Sequence, residues 1–175
     1  MPVGIEPWWH TAGIALIITL FVIRRWVASK HIVLICLVEL PGVSLHELLH
    51  LLTGIVFNAN PCGFNLVPER NNRYGGWTLG SVEFGRITTF NAVPIALAPL
   101  LLLPLAYGAF RYWYLVFPYP TLSNTLGLYA LSFVFTSGSI PSRQDIRVAC
   151  NWRSLLLYSS VVVGVVVWSL WRSGL

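Results

Sequence analysis

The sequence predicts an all-α polytopic membrane protein with about five transmembrane helices and a small β-hairpin or sheet after the second helix. Three observations carry that prediction. Hydrophobic residues make up 56% of the chain and charged residues only 10%, where a soluble domain carries roughly 25% charged. Eight tryptophans, seven tyrosines and nine phenylalanines suit a chain that passes repeatedly through lipid interfaces. Apolar stretches alternate with short connections, and only one polar segment, residues 58–90, is sizeable. Residues 1–175 are read as a single transmembrane domain, with 58–90 as an extramembrane or interfacial β-like segment within it.

The N-terminus, MPVGIEPWWHTAG, lacks the basic leader of a secretory signal, so the first apolar stretch reads as a retained span. It starts at Trp8 or Trp9, at an interface, and ends at the basic cluster Arg24, Arg25 and Lys30. The second span runs over about 31–57, with Pro41-Gly42 inside it to bend the helix. In 58–90, Asn71-Asn72 and Gly75-Gly76 offer turns, and WTLGSVEF partly alternates with period two. That pattern leaves open a β-hairpin able to pair with an extended peptide or an ordinary loop. The third span, from Asn91 to about Phe117, contains Pro94, Pro99 and Pro104, which imply an irregular helix packed against protein. The fourth covers about 122–140, and the last, 155–170, is uncharged and reads as a packing helix.

The net charge of +5 is spread along the chain without a dense basic patch, so no nucleic-acid partner is indicated. Cys36, Cys62 and Cys150 are odd in number and suggest neither a disulfide framework nor a CxxC metal site. Five spans put the 58–90 and 141–153 segments on one side with six basic residues, against five on the other. The larger count points to the cytoplasm.

Within the second span lies His46-Glu47-Leu48-Leu49-His50. Such an HExxH segment on a helix sets both imidazoles on one face, with the glutamate one step round. Unpaired histidines and a carboxylate are costly in hydrocarbon, so the motif reads as a metal site rather than a surface face. A catalytic zinc takes three protein ligands and keeps an open position. The end of the span carrying HELLH and the segment carrying Asp145 face the same side, and Asp145 follows a Pro-Ser turn. Asp145 is therefore the preferred third ligand, with Glu69 and Glu83 as weaker candidates; its other reading is a helix cap near Ile146. Glu39, seven residues before His46, is either a partner for a metal-bound imidazole or a group satisfied by a neighbouring helix. Glu6 lies on the wrong side, and His10 and His31 read as interface residues. Arg143 and Arg147 are placed to snorkel or meet lipid headgroups.

HELLH at 46–50 inside a span, a Gly-containing β-like segment after it and a late Pro-Ser-x-x-Asp at 141–145 resemble the M50-type intramembrane zinc metalloproteases, the site-2-protease superfamily. The likeness is greatest to their small bacterial M50B-like members and covers roughly residues 31–150. It departs from the pattern at Ile146, where the family carries Asp-Gly, and in Asn91-Ala92-Val93-Pro94, whose Asn-x-x-Pro spacing falls far upstream. The resemblance implies Zn2+ held by His46, His50 and Asp145, and Glu47 as catalytic base. It further implies hydrolysis of peptide bonds in membrane-embedded or membrane-proximal protein substrates, in a bacterial cytoplasmic membrane. The alternative is a catalytically inactive membrane scaffold or regulatory protein that retains the fold. A metal transporter fits less well, because no second cluster of ligands lies at another depth.

Overall fold

Pro7 opens the first helix at the position where a missing N–H costs nothing, and the pair Arg24, Arg25 closes it against the negative end of the helix dipole. The computed structural model describes residues 7–27, 32–71 and 76–173; Glu6, Lys30, His31, Asn72 and Gly75 lie outside them. After α1 (Pro7–Val27) comes α2 (Ile32–Val56), a 25-residue helix that holds both Pro41 and the HELLH segment. It ends in a Schellman turn. Asn58 adopts φ 53°, its N–H donates to the Ile55 carbonyl, and the Ala59 N–H donates to that of Gly54 at 2.8 Å.

The polar segment is a nested hairpin rather than a loop. Strand β1 (Pro61–Asn65) pairs antiparallel with β4 (Ser81–Phe84), and β2 (Glu69–Asn71) with β3 (Gly76–Thr78). WTLGSVEF is not one strand, because Leu79-Gly80 separates β3 from β4. Buried Asn91 ties this hairpin to the next helix: its Oδ1 accepts from the Thr88 N–H at 2.7 Å, and its Nδ2 donates to the Arg86 carbonyl at 3.0 Å.

The proline-rich stretch is irregular, as expected. It comprises α3 (Ala92–Leu97), a 3₁₀ turn (Ala98–Leu101) and α4 (Leu102–Val116). Next come α5 (Leu122–Gly138), capped by the Thr121 hydroxyl, then α6 (Arg143–Ala149) and α7 (Trp152–Ser173). The protein is thus mostly helical with a small antiparallel β element. Among the described residues, Ala92–Val116 and Trp152–Ser173 are long and apolar enough to cross a membrane.

Helix α5 is the hub, packed against α1, α2 and α4. On the α1 side, Phe21 meets Phe133 edge to face at 5.0 Å, and His10 hydrogen-bonds the Tyr129 hydroxyl at 3.1 Å. On the α4 side, the Tyr114 hydroxyl bonds that of fully buried Thr125. On the α2 side two glycines meet. A Cβ on Gly138 would lie 2.5 Å from the Gly42 carbonyl oxygen, so the crossing needs glycine there. Arg24 of α1 and Glu39 of α2 pair at 2.5 Å, which makes Glu39 a group satisfied by a neighbouring helix. The expected packing role of the last helix is not seen within the chain. Only 6% of its most apolar window is buried among the described residues. The sequence could not show this, because an apolar run carries no signal telling protein-facing from outward-facing surface.

Candidate metal centre

The helical spacing of HELLH brings the His46 and His50 Nε2 atoms to 3.1 Å, with both rings buried. Each ring is oriented by a backbone carbonyl through its other nitrogen. His46 Nδ1 lies 2.8 Å from the Gly138 oxygen, and His50 Nδ1 lies 2.8 Å from the Ile95 oxygen. A carbonyl only accepts, so each Nδ1 carries the proton and donates it.

Both carbonyls are available for reasons rooted in the chain. Gly138 is the last residue of α5, where the final turn leaves carbonyls without helical partners. Ile95 precedes Pro99 by four residues, and proline has no N–H to return the helical bond. The Ile95 oxygen instead accepts from Ala98 in the tighter 3₁₀ geometry and from His50.

Asp145 completes the group. Its Oδ2 is 3.3 Å from His46 Nε2 and its Oδ1 is 3.2 Å from His50 Nε2. Asp145 is not the cap of a helix starting near Ile146: α6 starts three residues earlier, at Arg143, and Asp145 is the acidic third residue of its capping box. Ser142 caps α6, the Ser142 N–H donates to Asp145 Oδ2 at 2.6 Å, and the Ser142 hydroxyl accepts from the Asp145 N–H. The same capping box that starts α6 therefore aims the carboxylate at the histidines. Burial works to raise the Asp145 carboxyl, but in the metal-free group, with ring protons on Nε2 to donate, the hydrogen bonds with His46 and His50 outweigh it and hold it well below the usual carboxylate range. Replacing Ser142 with alanine is expected to destabilise the cap by about 1 kcal/mol and to weaken metal binding about tenfold or more. Metal titration of S142A against S142T, which keeps the hydroxyl, checks this.

With both Nδ1 atoms protonated, the neutral rings present two Nε2 lone pairs to a carboxylate. Three acceptors so close repel one another unless a cation, either protons on the rings or a metal ion, lies between them. Tetrahedral coordination at about 2.0–2.1 Å sets ligand atoms about 3.3 Å apart, and the observed separations run from 3.1 to 3.3 Å. Two imidazoles and one carboxylate thus fit a small divalent ion with a side left open.

Glu47 is half-buried beside the group, makes no hydrogen bond among the described residues, and packs under Gly80. A Cβ on Gly80 would come within 2.8 Å of Glu47 Cγ. His46, Glu47, His50 and Asp145 line a cleft of about 710 Å³ roofed by β4 and the β3–β4 turn. That volume is in the range of ligand-binding clefts, about 300–1,000 Å³. The weaker third-ligand candidates stand apart. Glu69 accepts from Asn65 on the hairpin, and Glu83 reaches the cleft wall but not the acceptor group. The cysteines are free thiols; Cys62 borders the cleft. Sequence reasoning did not reach the roles of the Gly138 and Ile95 carbonyls; the proline run was the available signal for the second.

Fold and site together define a mostly helical protein with a candidate metal centre of two histidines and one aspartate. No family model, curated protein or solved structure matches the chain. The functional reading therefore rests on the chemistry of the site itself.

Proposed function

We propose that this chain is an intramembrane zinc metalloendopeptidase, with α1, α2, the α3–α4 stretch, α5 and α7 as its five spans. The observation that carries the reading is the convergence of His46, His50 and Asp145 on one point, at the floor of an open cleft, with an uncommitted Glu47 beside them. When bound, zinc supplies the Lewis acidity that makes water a nucleophile near neutral pH. Glu47 takes the proton of the attacking water and returns it to the leaving amine. The Gly138 and Ile95 carbonyls keep both imidazoles in the tautomer that leaves Nε2 free. Substrate specificity for an extended peptide is supported by β4, which borders the cleft and pairs only with β1 among the described residues. Its other edge offers backbone donors and acceptors to an unwound membrane segment. The family resemblance of HELLH and Pro-Ser-x-x-Asp points the same way.

Metal analysis of the detergent-purified chain tests the reading. The wild type is expected to hold about one zinc per chain, as a three-ligand site does, and H46A and D145A to lose it. A wild type that stays metal-free after incubation with zinc would overturn the proposal. Loss in H46A alone would remove Asp145 from the ligand set.

A further inference from the structure

A second cavity, of about 490 Å³, lies between the segment before α3, the end of α6 and the start of α7. Arg147 and Arg153 line it, and neither has a carboxylate within ion-pair distance among the described residues. Every other polar group on its wall can donate. Thr88 and Thr89 contribute hydroxyls, and Asn151 contributes an amide whose oxygen already caps α7 through the Arg153 N–H. Among the described residues, no aspartate or glutamate lines it. The positive end of the 22-residue α7 dipole adds to the same field.

We propose that this cavity binds a phosphate group, with Arg147 and Arg153 as its two guanidinium clamps. Two planar guanidinium groups together with hydroxyl donors match a tetrahedral oxyanion, which each arginine can grip with paired N–H groups. The position in the fold favours the phosphodiester of an anionic phospholipid. Arg153 stacks on the exposed Trp152 ring at the start of apolar α7, and tryptophan at the end of an apolar helix is a common mark of a membrane interface. From Leu155 onward, α7 presents an outward apolar surface along which acyl chains can lie while the headgroup occupies the cavity. A soluble phosphate ester presents the same oxygens without those chains.

Native mass spectrometry of the delipidated full chain in neutral detergent tests this with three probes: dioleoyl phosphatidylglycerol, diacylglycerol with the same acyl chains, and inorganic phosphate. Phosphatidylglycerol is expected to bind and diacylglycerol not to. Affinity for phosphatidylglycerol should fall about tenfold or more in R147Q/R153Q, since each basic group near a membrane surface contributes about a factor of five. R111Q, a substitution near the far end of α4, should leave it unchanged and controls for overall charge. Persistence of the lipid adduct in millimolar phosphate supports the lipid source; displacement supports a soluble phosphate source in the same cavity. Equal binding of diacylglycerol, an equal loss in R111Q, no loss in R147Q/R153Q, or no binding of either phosphate probe would overturn the site.

Discussion

Replacing Glu47 with glutamine is expected to lower peptide hydrolysis by about two to four orders of magnitude, the range a positioned acid–base group supplies, while leaving zinc content unchanged. The separation follows from the geometry. Glu47 lines the cleft but is not one of the three groups that converge at 3.1–3.3 Å. Glutamine matches its size and cannot accept the proton of water. A transmembrane reporter peptide cleaved in detergent, read beside metal analysis, distinguishes the outcomes. Undiminished cleavage by E47Q would remove Glu47 from the chemistry, and loss of zinc would make it a ligand or a structural support. G80A gives a subtler version of the test. The added methyl would press on Glu47 Cγ from the β3–β4 turn. Turnover should fall, with metal binding retained.

How far this site was legible in the chain depends on which physical rule placed each residue. HELLH is local: helical spacing alone puts His46 and His50 together, and an apolar setting makes the pair costly without a partner. Asp145 is 95 residues beyond His50, yet counting predicted crossings brought it to the same end, because two traversals, the third and fourth predicted spans, return a chain to the side it left. Glu39 could not be resolved from sequence, since its partner Arg24 belongs to another helix and pairing across helices has no sequence period. Two apolar readings fared differently for one reason. The proline-rich third stretch was legible as irregular because proline acts on its own backbone. The outward face of α7 was not, because apolar residues look alike whether they meet protein or something else. Arg147 belongs with this group. The sequence suggested a headgroup contact or a snorkelling side chain for it, but not that it lines one cavity with Arg153, which depends on how α6 and α7 are placed.

Gly138 was legible only as a small residue near the end of a span, and substituting it is expected to have the other large effect. In G138A the new Cβ would fall 2.5 Å from the Gly42 carbonyl oxygen and 3.0 Å from Leu102 Cδ1. The first is backbone and cannot rotate away, so α2 and α5 must separate. Overpacking of this kind costs about 1–3 kcal/mol, and the unfolding temperature in detergent should fall accordingly. The displacement also pulls the Gly138 carbonyl from His46 Nδ1, where it holds the ring at 2.8 Å. Loss of such an orienting bond weakens metal binding by about 10–100-fold. The two effects can be separated with variants on either side of the crossing. A Cβ on Gly42 meets the Ser137 hydroxyl first, at 2.9 Å, which can turn aside, and backbone only at 3.2 Å, the Val134 carbonyl, where a few tenths of an ångström of give suffice. G42A should therefore lose stability with a smaller loss of zinc affinity. G164A, in α7, has nothing within 4 Å of its Cβ among the described residues and should change neither. If G138A bound zinc as tightly as the wild type despite a lower unfolding temperature, the Gly138 carbonyl would have no part in orienting His46. Equal zinc losses in G138A and G42A would place the effect in the helix crossing as a whole, because only Gly138 supplies the carbonyl that His46 uses.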